Sequence, residues 1–259
     1  KGANWELGAV STAEWTGVPL RTILELAGVK PGSVDVVLEG ADTGLIKDDP
    51  KPPDAIHFAR SLPLPKAMDP DVMLAYQMNG QDLNVSHGAP LRAVVPDWYA
   101  VASIKWLTRI VVMDKPFGGH YQTVDYAYWE RRNGLPTRIP ITEMQVKSEI
   151  ARPNMHTVLK AGSKYRVAGA AWTSGADIDK VEVSADGGKS WAPAKLTGPK
   201  RRYCWRLWEL DWKVPEQPGR YTLMSRATDS KGRVQPMTRD TDRANYLITH
   251  VLPIDVDVR

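Results

Sequence analysis

The sequence predicts an α+β protein of two domains, a mixed α/β domain over residues 1–143 followed by an all-β sandwich over residues 144–259. Three observations carry that prediction. The first half holds one well-signalled helix among strands and Pro-rich loops, and the composition turns at Arg131-Arg-Asn-Gly-Leu-Pro136. From about Met144 short strands recur at regular intervals with turn signals between them, which is the pattern of a sandwich. With 259 residues, 42% of them apolar and 25% charged, the chain can bury two cores, and no biased tract points to disorder, a collagen-like repeat or a coiled coil.

Taken in order, Thr16 reads as the cap of a helix that carries Pro19 early, with Leu20, Ile23, Leu24 and Ala27 on one face and Gly28 as its stop. Val34–Glu39 reads as a buried strand and Ala41–Lys51 as loop, because Pro50, Pro52 and Pro53 forbid regular structure nearby. Leu62-Pro-Leu-Pro65 reads as extended or turning. Met73–Met78 and Leu91–Val95 read as strands with the turn pair Asn79-Gly80 between them, and Trp106–Met113 completes a mixed sheet with few helices. In the second half Lys180–Ser184, the turn Ala185-Asp-Gly-Gly188 and Ser190–Leu196 form a hairpin. Arg202–Trp212, Tyr221–Asp229 and Leu247–Val251 add further strands.

The net charge of +4 and pI near 9.0 suit anionic substrates or cofactors and are too modest to require nucleic acid. The one dense basic run, Lys200-Arg-Arg202, reads as a solvated hairpin tip. No run of apolar residues is long enough to predict a membrane span, and Lys1 opens the sequence without initiator Met or signal peptide, so a fragment or processed product is expected. The single cysteine, Cys204, excludes an intrachain disulfide, and no Cys/His spacing suggests zinc or covalent haem.

The richest segment starts at His87-Gly-Ala-Pro-Leu-Arg92 and continues to Ser103-Ile-Lys-Trp-Leu107. Singly, His87 reads as a turn histidine, and Arg92 and Lys105 as strand charges facing water. Together, an imidazole, a planar guanidinium fork, a hydroxyl and a compact ammonium suit a phosphate.

This segment resembles the pterin-phosphate loop of the sulfite oxidase family of molybdenum enzymes, whose pattern is H-G-x-P-L-R, a short spacer, then S-x-K-W-L. Gly8–Leu20, Leu38-Glu-Gly-Ala-Asp42, Arg60–Pro70 and Leu74–Gly80 follow in the family's order. Ser184-Ala-Asp-Gly-Gly-Lys-Ser-Trp191 and Trp205-Arg-Leu-Trp208 resemble the immunoglobulin-like dimerisation domain of the same enzymes, so the resemblance covers nearly the whole chain.

The resemblance implies a sulfite-oxidase-type molybdopterin-binding domain and an immunoglobulin-like sandwich, with molybdenum carried on molybdopterin. It places His87, Arg92, Ser103, Lys105 and the Ile104 backbone N–H on the cofactor's phosphate. It also places Asp42, otherwise an Asx-turn aspartate, on the pterin ring. The family's metal ligand is one cysteine thiolate, expected upstream of Lys1. Cys204 lies in an alternating Trp/Leu strand and reads as a packed residue, not a ligand. Where sulfite-oxidising relatives carry a tyrosine near the metal this chain aligns Phe58, beside Arg60. Where they carry a pocket arginine it aligns Tyr246, with Arg239 and Arg243 close by. His57 and His120 read as solvent-facing loop histidines, and Tyr121, Tyr126, Tyr128 and Trp129 as an aromatic cluster that could support electron transfer but that interdomain packing explains more simply.

The activity implied is oxygen-atom transfer, with sulfite or a similar small sulfur oxyanion oxidised and electrons passed to a cytochrome or other one-electron acceptor. Haem is expected only on a separate domain or partner, a homodimer is expected through the C-terminal domain, and an extracytoplasmic, periplasmic location follows the family's habit. A nitrate or sulfoxide reductase of the same family, and a non-catalytic module that binds pterin or only dimerises, stand as alternatives.

Overall fold

The computed structural model describes residues 9–243 and 247–259, and these divide into two compact units. The first unit holds residues 13–143 together with Asp242 and Arg243. The second holds residues 144–241 and 247–259, with residues 9–12.

In the first unit strand β1 (Trp15–Pro19) runs into helix α1 (Leu20–Ala27). Leu20 and Leu24, one turn apart, are buried, but Ile23 and Ala27, expected on the same face, are exposed, so the helix buries a narrower stripe than its sequence suggests. Thr16 is not the cap: it lies in β1 opposite Gln77, where ladder pairing engages its backbone, and the helix's first donor, Leu20 N–H, goes to Val72 O at 2.8 Å. Gly28 ends the helix as expected, left-handed at φ 78°, with its N–H on the Leu24 and Glu25 carbonyls. Gly17 is required for a different reason, because a Cβ there would lie 2.2 Å from the Leu74 carbonyl oxygen.

Strand β2 (Asp35–Gly44) continues past the expected end at Glu39 through a register shift, so that the expected loop begins only after Gly44. The segment Leu62–Pro65 is extended at its start, as expected, where it ends strand β3 (Ile56–Pro63), and then enters the one-turn helix α2 (Leu64–Ala67). Strand β4 (Met73–Met78) is as expected, but Asn79-Gly80 turns it into the two-residue strand β5 (Gln81–Asp82), not directly into the strand near Leu91. Strands β6 (Arg92–Val94) and β7 (Leu107–Met113), the one-turn helix α3 (His120–Thr123) and the hairpin β8 (Ala127–Arg132) and β9 (Leu135–Pro140) complete the unit.

These strands do not form one mixed sheet. They separate into β1-β4-β5 with β6 on β4, into β3-β2-β7, and into the β8–β9 hairpin, and every described pairing is antiparallel. One apolar core takes Leu20 and Leu24 from α1, Val36 and Leu38 from β2, Leu74 from β4 and Ala93 from β6, so both sheets close on α1.

The second unit is all β: β10 (Lys147–Arg152), β11 (Val158–Leu159), β12 (Lys164–Trp172), β13 (Ile178–Ser184), β14 (Ala192–Thr197), β15 (Arg206–Lys213), β16 (Gly219–Asp229) and β17 (Ile254–Val258). Their order is β10-β12-β15-β14-β13-β16-β17-β11, and the turn between β13 and β14 is the expected one. Trp208, 1% exposed, fills the core, and Gly169 faces it where a Cβ would fall within 2.5 Å of the indole. The strand expected at Leu247–Val251 is irregular chain, and the true last strand is Ile254–Val258, whose alternating Asp and Val bury only the apolar side.

Candidate functional site

The His87–Lys105 segment closes on itself to form a cradle. Asn84 caps a single 3₁₀ turn, Val85–His87, and its side-chain oxygen takes the His87 N–H at 2.9 Å and the Ser86 hydroxyl at 2.8 Å. Because both are donors, that atom is the carbonyl oxygen, and His87 Nδ1, also 2.9 Å away, must present its N–H to it. The tautomer leaves Nε2 as the ring atom available to a ligand, which it can serve as a donor when the ring is an imidazolium.

Gly88 then turns at φ 101°, and a Cβ there would meet Lys105 Cβ at 2.9 Å, so only glycine lets the His87 turn lie on the Lys105 bend. Lys105 donates to Ser86 O at 3.1 Å and lies over the Trp106 ring at 4.1 Å, while Trp106 Nε1 donates to Val85 O at 2.8 Å. Ser103 accepts the Val95 N–H on its hydroxyl at 3.1 Å, which keeps its own O–H for another acceptor.

Arg92 occupies a different position from the one its charge suggests. Its guanidinium donates to His87 O at 3.0 Å and Ser103 O at 3.1 Å, reaches Ala93 O at 3.4 Å and stacks over Trp15 at 4.8 Å. Burial lowers its pKa from the ordinary value, yet a guanidinium remains charged. Arg92 is therefore a brace between the two lips of the cradle, and the N–H groups outside those three contacts can still meet an anion. The Ile104 N–H closes a tight turn onto Ala102 O at 3.2 Å, and its side chain is buried in the core.

Asp42 is exposed on β2, just beyond Gly40. A Cβ on Gly40 would lie 2.5 Å from Asp42 Oδ1 and 2.8 Å from Lys105 O, so glycine allows β2 to approach the Lys105 bend. His57, exposed as expected, contacts Gly40 O through Nδ1 at 2.9 Å.

The residues aligned with the family's substrate pocket divide. Phe58 packs its ring on Tyr121 at 4.6 Å and on Tyr126 at 6.1 Å. A phenol therefore stands beside position 58 although position 58 has none. Tyr121 has its pKa raised above 10, by burial first and then by the Asp125 and Asp42 carboxylates, so its hydroxyl stays protonated as a donor. Tyr121 and Tyr126 do pack, but on Phe58 of their own unit and not between domains, and the fold brings both to it from a distant segment.

Arg60 is 1% exposed, and its fork reaches the Tyr121, Tyr126 and Ile141 carbonyls, so it ties three distant backbone segments together. His120 is not solvent-facing: its side chain is 7% exposed, beside Asp125 at 3.5 Å and edge-on to Tyr121. Arg243 lies over the Tyr128 ring at 4.1 Å and folds with the first unit, not with the sandwich that precedes it in sequence. Arg239 is exposed in the second unit, and Tyr246 lies outside the described residues. Cys204 is half-buried, and among the described residues no group of His, Cys, Asp and Glu could hold a metal ion. No described helix is long and apolar enough to cross a membrane.

The chain is similar to known proteins along nearly its whole length. The family described as oxidoreductase molybdopterin binding domain matches residues 1–121, and the Mo-co oxidoreductase dimerisation domain matches residues 138–244. Mitochondrial sulfite oxidase of Mus musculus is 34% identical over 92% of this chain, and the NADPH nitrate reductase of Aspergillus niger is 32% identical over 91%. The chain spans 44% of the first and 31% of the second. The sulfane dehydrogenase SoxCD of Paracoccus pantotrophus is similar in structure, with TM-score 0.76 and 32% identity, over 93% of this chain and 59% of that one.

Proposed function

The chain belongs to the sulfite oxidase family of molybdopterin-dependent oxidoreductases, and from that premise we propose that its parent protein oxidises sulfite or a similar small sulfur oxyanion. The observation that carries the cofactor side of this reading is the donor set of the cradle. Lys105, the Ser103 hydroxyl and the remaining Arg92 N–H groups are cationic or can donate, His87 Nε2 can join them when the ring is an imidazolium, and glycines at 40 and 88 let the flanking segments close on Lys105. Such a set fits a phosphate, whose oxygens only accept.

When bound, the molybdenum cofactor supplies exchange of an oxygen atom and two electrons with the substrate. The residues do the rest. His87, Ser103 and Lys105 hold the phosphate end, Arg92 keeps the two lips at a fixed separation, and Asp42 accepts from the pterin ring. On the substrate side, Tyr121 or Tyr126 supplies the phenol that Phe58 lacks, and a neutral O–H there donates to an oxyanion without carrying charge of its own. The one-electron acceptor is a cytochrome or similar partner, and the sandwich joins two copies. A periplasmic location belongs to the same proposal and rests on the resemblance.

The test is turnover of the parent protein, loaded with cofactor, using ferricyanide as acceptor. Sulfite-dependent reduction is expected. Turnover of nitrate or a sulfoxide, assayed with reduced methyl viologen as electron donor, in place of sulfite oxidation would assign the reducing direction, and pterin binding with no turnover of any of the three would assign the non-catalytic module.

A further inference from the structure

We propose that Arg60 is a positioning residue for substrate chemistry: it holds Tyr121 and Tyr126 against Phe58 and so fixes the phenolic face of the pocket. The proposal rests on the reading that these rings border the substrate. Strand β3 is an edge strand, since its sheet runs β3-β2-β7, and its outer side faces the segment from residue 119 to 126. That segment contains a single helical turn, which is too short to hold its own conformation.

Two buried side chains fasten it. Arg60 donates to Tyr121 O and, at 3.3 Å, to Tyr126 O, and it reaches Ile141 O across the neck of the β8–β9 hairpin, where Ile141 N–H meets Tyr126 O at 2.8 Å. Gln122, itself buried, donates to Ser61 Oγ at 3.1 Å and accepts the Ser61 N–H at 3.4 Å. The two fasteners leave β3 at adjacent residues. Phe58, two residues before Arg60 on the same strand, receives the rings they deliver. A fully buried guanidinium is costly to desolvate, and one whose donors reach the carbonyls of both tyrosines has a conformational job that a leucine could not do.

A lysine can carry the charge but cannot span three carbonyls. Incorporating 3-fluorotyrosine and recording 19F spectra gives a resonance for each tyrosine, with Tyr121 and Tyr126 assigned through their Phe variants. In Arg60→Lys and Arg60→Met the resonances of Tyr121 and Tyr126 are expected to move toward the position of the free amino acid while the sandwich tyrosines stay in place. Sulfite kcat/KM is expected to fall by about 100-fold with pterin content unchanged, since misplacing a group by an ångström costs on that order. Unmoved Tyr121 and Tyr126 resonances in a folded variant would overturn the proposal, even with a lowered melting temperature. If Arg60→Met does not fold, Arg60→Lys decides. The spectra decide for Arg60 even if the wild type does not turn over sulfite, so the two readings fail separately.

Discussion

The two units differ in emphasis: both fasten loops with cationic side chains on carbonyls, as Lys147 does on Ile248 and Arg206 on Gly198 in the sandwich, but the first unit builds its candidate site from such loops. In the molybdopterin-binding unit, long cationic side chains reach back to carbonyls: Arg92 to His87 and Ser103, Lys105 to Ser86, Arg60 to Tyr121 and Tyr126. In the sandwich, strand register and an apolar core around Trp208 carry the load, and the buried polar groups, such as Gln235 on Ser148 and Ala227, tie strand to strand. A loop that must meet an anionic cofactor cannot be closed by apolar packing without excluding the ligand. Cations that hold the loop by its carbonyls leave the same surface positive. The first unit therefore risks its site geometry when a polar residue is lost, and the second risks its fold when an apolar one is lost.

The largest expected effect is on the sandwich side of this contrast. Trp208→Ala should cost about 3–5 kcal/mol, as large buried aromatics do, read as a shift of the urea midpoint followed by β-sheet circular dichroism. Retained pterin in that variant would sharpen the contrast, and a small stability loss would break it.

Arg92→Ala comes next. Losing charged hydrogen bonds to two carbonyls should cost about 1.5–3 kcal/mol of stability even without cofactor, and should also lower pterin occupancy. Arg92→Lys should restore little, because an ammonium cannot brace both lips. Wild-type stability of the cofactor-free Ala variant, with pterin loss alone, would make Arg92 a ligand and not a brace.

Lys105→Met should act in the reverse sense. Pterin affinity should fall about tenfold, or about 1.4 kcal/mol, while thermal stability stays within about 0.5 kcal/mol of wild type.

The smallest effect concerns Glu149 in the sandwich. Burial raises its carboxyl pKa and outweighs the pull of Lys147, 2.6 Å away. A raised folded value means that the folded state binds the proton more readily than the unfolded chain. That contribution is full below the ordinary value of 4.5 and is lost as pH rises through the folded value. Glu149→Gln should flatten the melting-temperature profile in that window, and an unchanged slope would remove Glu149 as its source.

The cradle could be read from the sequence because its donors sit in one continuous segment, His87 to Lys105, with the glycine that lets it close. The brace role of Arg92 could not, since the acceptors are backbone carbonyls that any sequence provides. Strand β3 was hidden because its inward residues include Arg60 and Ser61, which break the apolar alternation a strand normally shows. The pairing of Phe58 with Tyr121 and Tyr126 spans distant parts of the chain, and only the observed fold joins them. At the C-terminal end, Ile254-Asp-Val-Asp-Val258 carried a clear period of two, whereas Leu247–Val251 offered an apolar run without the ladder partners that make a strand.

The most direct test of the account is the pterin content of the protein purified from a host that makes molybdopterin. The pterin is released, oxidised to its fluorescent product and compared with protein concentration for wild type and Lys105→Met. Stoichiometric pterin in the wild type, depleted in the folded variant, is the predicted result. A well-folded wild type without pterin, or a variant that retains all of it, would contradict the cradle.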